Sequence, residues 1–173
     1  EKTYEATLLL GTTTDTEDTS GTVLDRKEVH ISETDFLNIL PRFRGKIMQV
    51  PPMYSALKIN GQKLVDLARK GKTVERQARQ IEIFQLDCVE FSGNTARLRV
   101  QCSKGTYIRT LCKDIGEALG CGGCMESLRR VTAGAYTIDE AIPLAQLVEH
   151  PNPESCLRPV DSLFTEHPAV TLT

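Results

Sequence analysis

Thr95-Ala96-Arg97-Leu98-Arg99-Val100-Gln101-Cys102, followed by Ser103-Lys104-Gly105-Thr106-Tyr107 and then Ile108-Arg109-Thr110-Leu111-Cys112-Lys113-Asp114-Ile115-Gly116-Glu117-Ala118-Leu119-Gly120, changes its hydrophobic period halfway along. Ala96, Leu98 and Val100 alternate with Arg97 and Arg99, which predicts a strand with one apolar and one charged face. Ile108, Leu111, Ile115, Ala118 and Leu119 then recur at helical spacing, and Gly120 suits the end of that helix. Upstream, Gln80 to Phe91 alternates through Ile81, Ile83, Val89 and Phe91, with a break near Gln85 that predicts a bulge, and Ser92-Gly93-Asn94 supplies the turn. Strands and helices mix here without the regular strand–helix–strand repeat of a parallel sheet, so the fold class is α+β.

The same reading extends toward both ends. Tyr4 to Leu10 is β-prone and apolar, Gly11 to Gly21 is a polar loop, and Thr22 to Val29 forms a returning strand. Ser32 is the expected N-cap of a helix that ends at Ile39 or Leu40, before Pro41. Pro51-Pro52 interrupts regular structure, and Asn60-Gly61 after Ala56–Ile59 predicts a tight hairpin. Leu64, Leu67 and Ala68 share one helical face ahead of Gly71. Leu128 to Tyr136 reads as a strand, and Pro143 as the first turn of a short helix reaching His150. Pro151, Pro153 and Pro159 mark a linker, and Ala169 to Thr173 reads as the start of another strand. The expected division is therefore a partial domain over 1–150, with a protruding insertion at about 51–79, and a linker with the start of a further domain over 151–173. With no initiating Met, the chain is expected to begin inside a longer protein.

The 173 residues are 40% hydrophobic and 25% charged, values of a soluble globular chain, and no run of about 18 apolar residues could span a membrane. The net charge of −2 hides a sharp partition. Residues 41–80 carry ten Lys/Arg against Asp66 and Glu75, whereas residues 1–40 carry three against nine acids. Such a basic segment is either a phosphate-binding surface or a solvated helix face. The six cysteines are scattered through a chain large enough to bury a core, which points to free thiols and a cytoplasmic setting.

Four segments in series carry a resemblance. They are Lys2-x-Tyr4 with Leu10-Gly11 and Thr14-Asp15-Thr16-x-Asp18-x-x-Gly21; Gln49-Val50-Pro51-Pro52-Met53-Tyr54-Ser55-Ala56-Leu57-Lys58 with Gly61-Gln62-Lys63-Leu64 and Ala68-Arg69-x-Gly71; Cys102 to Leu111 with Asp114-x-Gly116 and Leu119-Gly120; and Leu128-Arg129-Arg130 with Gly134. In order and spacing the chain resembles the bacterial TruB-type tRNA pseudouridine synthases. The resemblance implies a mixed, mainly antiparallel sheet with flanking helices, and an isomerase acting on uridine in the T-arm stem-loop of tRNA. The family reaction breaks an N-glycosidic bond, turns the base and rejoins it through carbon, using an aspartate in a Leu-Asp-Pro type motif. That motif is expected to lie ahead of Glu1, which would leave these residues inactive by themselves.

By the same resemblance Tyr4 is the tyrosine that stacks on the target base, and Arg109 is the arginine that holds the aspartate ionised and aimed. Lys2, Tyr107 and Leu128 would line the substrate pocket. The basic segment would be the family's insertion against RNA, with Lys58, Lys63, Arg69, Lys70, Lys72, Arg76 and Arg79 facing phosphates. Taken without the motif, Tyr4 is a half-buried strand tyrosine and Arg109 a surface arginine paired with Asp114 or Glu117. Arg129 and Arg130 either touch RNA or anchor the sheet. No metal or organic cofactor is implied, and a monomer is expected. An alternative is a non-catalytic RNA-binding module built on residues 42–79.

Three features read as decoys. Leu24-Asp25-Arg26 lies downstream of Tyr4, so Asp25 is read as surface charge. Asp15, Asp18 and Asp25 lack the spacing and closing Glu of a calcium loop. Cys121-Gly122-Gly123-Cys124 has half-site spacing but no second pair, and His30, His150 and His167 are scattered. Cys124 stands where the family usually has histidine.

Overall fold

A computed structural model describes residues 1–163. Its strands are β1 (Lys2–Leu10), β2 (Thr12–Thr14), β3 (Val23–Arg26), β4 (Gly45–Gln49), β5 (Lys58–Ile59), β6 (Gln62–Lys63), β7 (Arg79–Ser92), β8 (Thr95–Cys102), β9 (Gly123–Ala133) and β10 (Tyr136–Thr137). The helices are α1 (Glu33–Ile39), α2 (Leu64–Arg69), α3 (Ile108–Ala118) and α4 (Leu144–Glu149). Short 3-10 turns follow at Leu40–Phe43, Ile138–Glu140, Pro153–Cys156 and Val160–Leu163. The strand expected at Ala169 to Thr173 lies outside the described residues.

Six strands form one sheet in the order β10-β9-β1-β8-β7-β4. Its neighbours pair antiparallel throughout, and one isolated parallel bridge joins Asp18 to Met125. The β7–β8 hairpin turns at Gly93 (φ 62°), a left-handed position that glycine adopts at little cost. Bulges interrupt β7 between Ile83 and Gln85 and again between Cys88 and Glu90, the first where the sequence breaks its alternation.

One face of the sheet is covered. Ala6, Leu8 and Leu10 of β1 and Ala96, Leu98 and Val100 of β8 pack with Ile108, Leu111, Cys112 and Ile115 of α3 in a single core, which also takes in Phe36 and Leu40. The other face carries charge: Arg99 pairs with Glu5 at 3.5 Å and Arg97 with Glu90 at 3.4 Å. The alternation in β8 therefore sets which face α3 covers. α1 begins with a reciprocal capping box between Ser32 and Asp35, which satisfies donors at its open end.

Several elements differ from the sequence reading. β4 forms from Gly45-Lys46-Ile47-Met48-Gln49, a stretch whose two apolar side chains are adjacent rather than alternating, because Ile47 and Gly45 line up with Ile81 and Ile83 of β7. β2 forms inside the segment read as loop, and pairs with a β3 shorter than expected. β9 starts at Gly123, five residues before Leu128, and Tyr136 belongs to β10. Pro143 is the N-cap of α4 rather than a residue of its first turn.

Candidate functional site

The head of α3 is fixed from below by a buried amide. Gln49, the last residue of β4, is 2% exposed. Its carboxamide oxygen accepts from the Tyr107 N–H at 2.9 Å, and its Nε2 donates to the Tyr107 carbonyl at 3.1 Å. Tyr107 is the N-cap of α3 and makes no side-chain cap bond, so the Gln49 amide holds this residue through its backbone. Arg109 follows in the first turn, where the positive end of the helix dipole disfavours a cation that lacks a partner.

The partner is Asp18. Arg109 Nη1 donates to Asp18 Oδ2 at 2.9 Å and to the Thr16 carbonyl at 3.3 Å, and Nη2 donates to the Tyr54 carbonyl at 2.7 Å. The two side chains are only 23% and 17% exposed, so solvent screens the pair weakly. Asp18 Oδ1 accepts from the Thr16 hydroxyl at 2.8 Å and from the Ser20 N–H at 3.1 Å. Burial opposes its charge, but hydrogen bonds from Ser20, Thr16 and Arg109 outweigh that and hold its carboxyl below the ordinary range. Asp114 and Glu117, the partners read for a surface Arg109, are instead within 3.7 Å and 3.1 Å of Lys113.

A second hydrogen bond ties the same loop to the same helix turn. The Thr110 hydroxyl donates to Glu17 Oε2 at 2.5 Å. Burial raises the Glu17 carboxyl above its ordinary value, offset in part by Thr110, Lys113, Arg109 and Arg76. Glu17 also has φ 65°, a strained backbone position for a residue with a side chain. Its carbonyl accepts from the Met125 N–H at 3.0 Å, and the Thr19 N–H donates to the Met125 carbonyl at 3.0 Å. Two successive loop residues, Glu17 and Asp18, thus meet two successive helix residues, Thr110 and Arg109.

Tyr4 lies on the side of the sheet that α3 covers. Its cross-strand partners are Val100 of β8 and Arg130 of β9, and its ring packs against the core. Leu128 stands opposite Ala6 on that face and is 45% exposed, an apolar wall open to solvent. Lys2 opens β1 opposite Cys102 and Ala133. The ring of Tyr4, the Leu128 side chain and the head of α3 therefore share one side of the sheet.

The insertion leaves the sheet after Gln49 and returns at Arg79. Lys58, Lys63, Arg69, Lys70, Lys72 and Arg79 are carried on it, and all six are exposed. Lys58, Lys63 and Lys70 border a surface hollow of about 320 Å³ together with Asp66. Arg76 is different: it is half-buried and donates from Nη1 to the Pro51 carbonyl at 3.2 Å, joining the two legs of the insertion.

Asp18, Glu17, Gln49 and Thr110 were not picked out from the sequence. The signal for Asp18 and Gln49 was present, since both lie inside quoted motif segments, but spacing to a calcium loop was the wrong test for Asp18. The partner lies 91 positions away. Asp25 is exposed on β3 with its carboxylate on the neighbouring Arg26 N–H, as read. All six cysteines are free, and Cys121 and Cys124 are buried, with Cys121 Sγ 3.3 Å from the Gly122 carbonyl. Among the described residues no three His, Cys, Asp or Glu side chains are grouped to hold a metal ion.

Residues 1–108 match the family model described as TruB family pseudouridylate synthase (N terminal domain), and residues 109–165 match tRNA pseudouridylate synthase B C-terminal domain. The tRNA pseudouridine synthase B of Dechloromonas aromatica is 48% identical over 172 residues, which are 98% of this chain and 58% of the relative. That of Pseudomonas fluorescens is 51% identical over 147 residues, 85% of this chain and 48% of the relative. The chain thus spans about half the length of these curated relatives. Among solved structures, one from a Cbf5-Nop10-Gar1 complex superposes with a TM-score of 0.63 at 28% identity, covering 87% of this chain and 36% of that one. A structure of an H/ACA RNP bound to a substrate RNA superposes at 0.59 with 22% identity, covers 91% of this chain and 37% of that one, and shares the fold.

Proposed function

Because the chain belongs to the TruB family of pseudouridine synthases, we propose that it is the greater part of the catalytic body of an enzyme that converts uridine to pseudouridine in the T-arm loop of tRNA. The observation that carries this reading is the state of Arg109. Its charge is held by Asp18 and two carbonyls, while Nε and one N–H of Nη2 have no partner among the described residues. A guanidinium fixed on one edge with donors left on another is suited to aim a second carboxylate by a charge-assisted pair. In this reading that carboxylate is the family aspartate, kept ionised for attack or proton abstraction at the ribose. Tyr4 stacks on the extruded base, and Leu128, Tyr107 and Lys2 border it, closing an apolar pocket of the kind a base enters after leaving its stack. The exposed cations of the insertion grip RNA phosphates, which gives affinity and register rather than sequence readout. The enzyme would work as a monomer in the cytoplasm.

No Leu-Asp-Pro occurs in the 173 residues, so these residues alone are expected to leave T-arm RNA unmodified. Incubating the chain with a T-arm stem-loop and finding efficient pseudouridine would refute that. In a protein extended to include the motif, Arg109→Ala should lower the rate on the order of 10²-fold or more, as for loss of one preorganised charge partner. Lys70→Ala should cost far less and act on RNA affinity. Equal losses in single-turnover assays would remove Arg109 from the site.

A further inference from the structure

The two legs of the insertion enclose a cavity of about 390 Å³ that the phosphate-gripping role leaves unexplained. Pro51, Leu57, Ile59 and Leu64 supply its apolar walls, and Glu75, Arg76 and Arg79 border it from the returning leg. Its volume is within the range of pockets that hold a small organic group, roughly 300–1,000 Å³. A groove meant only for phosphates has no need of aliphatic walls, because phosphates are held by exposed cations.

Arg76 points the same way. It makes one side-chain hydrogen bond, to the Pro51 carbonyl, and its buried Nε has no partner among the described residues. Leaving a buried donor unpaired is costly, and such groups are usually kept where something makes use of them. Arg76 also lies near enough to Glu17 to favour its ionised form. A second hollow on the same insertion, edged by Lys58, Lys63 and Lys70 with Asp66 among them, adds positive surface for a polyanion.

We propose that this cavity receives one unstacked base of the bound RNA, set between Ile59, Leu57 and Pro51, with a flanking phosphate on Arg79 and a base carbonyl or ribose oxygen turned toward Arg76. Single-stranded loops are the RNA elements whose bases can turn out in this way, and apolar side chains accept any base face. The insertion then recognises RNA by a base as well as by charge. This rests on the RNA reading of the insertion given above.

The test uses the 173-residue chain and a T-arm stem-loop carrying 2-aminopurine at each loop position in turn. One position besides the target uridine should change fluorescence on binding. An abasic nucleotide there should weaken binding on the order of tenfold, the size of one missing base-stacking interaction. Ile59→Trp, which fills the cavity without altering charge, should produce the same drop, leave the salt dependence unchanged, and add nothing to the abasic substitution. If the abasic RNA and Ile59→Trp both bind as the parents do while Lys70→Ala and Lys72→Ala bind weakly, the insertion grips phosphates only and the base site is wrong. Equal affinity for a free nucleoside monophosphate would replace the RNA base with a mononucleotide ligand and overturn the proposal. Failure of the stem-loop to bind at all would overturn both this inference and the RNA reading beneath it.

Discussion

Asp18 commits both carboxylate oxygens, one to its own loop and one to Arg109. Removing it strands a mostly buried guanidinium and frees the loop at once. Asp18→Ala is expected to lower stability by about 2–3 kcal/mol, the scale of a missing hydrogen bond to a charged group plus an unpaired partner. Urea unfolding measures this, and a change under about 0.5 kcal/mol, typical of surface sites, would mean the pair is ornamental. Asp114 sits on α3, the helix that carries Arg109, with its carboxyl pushed up to about 6 by burial, with Glu117 and Glu17 adding to the rise and Lys113 opposing it. A folded-state value above the ordinary 3.8 means the protonated form is the better buried one. Its contribution is fully present below the unfolded value and is lost as pH rises through about 6. The Tm of Asp114→Asn should therefore gain on that of the parent as pH climbs through this window. A constant difference between the two melting profiles would count against it.

At the scale of elements, α3 and β9 approach more closely than side chains permit. A Cβ on Gly116 would lie 2.4 Å from both the Gly122 carbonyl carbon and the Gly123 nitrogen, and one on Gly123 would lie 3.3 Å from the Cys112 carbonyl oxygen and from Gly116 Cα. Backbone cannot yield as a flexible side chain can, so Gly116→Ala is expected to cost about 3 kcal/mol by prising the helix off the strand. Denaturant midpoints would show it, and a midpoint equal to the parent's would mean the helix can move aside freely. The same place shows one limit of sequence reading. Gly122-Gly123 reads only as the middle of a cysteine half-site, and the strand that begins there is set by pairing of Gly123 with Leu10 of β1, beneath the helix. The central hairpin and α3 were legible because Ala96, Leu98 and Val100, then Leu111 and Ile115, state their periods locally. The β4 strand was not, because Ile47 is explained only by Ile81 across the ladder. In the candidate site, Tyr4 and Arg109 were legible through motif segments that state no geometry. The Asp18 partner and the Gln49 clasp were not, since each joins residues far apart in the chain.

For the molecule as a whole, charge is sorted by segment, with a surplus of eight positive charges over residues 41–80 in a chain of net charge −2. RNA affinity should therefore fall steeply with salt. Replacing Lys70 and Lys72 together by Ala should flatten the plot of log affinity against log salt by about 1.5, near 0.7–0.9 for each phosphate no longer neutralised. An unaltered slope would place the phosphates elsewhere. Within the described residues no helix is long and apolar enough to cross a membrane. The sheet order has one further consequence. β1 lies between β8 and β9, so neither of its flanks is covered until Thr95–Cys102 and Gly123–Ala133 exist. A ribosome adding roughly 5–20 residues per second leaves this early strand unaccompanied for on the order of ten seconds. An apolar ladder at the heart of the newborn polypeptide thus waits for both its neighbours, and protecting it during translation is a task that falls to the cell.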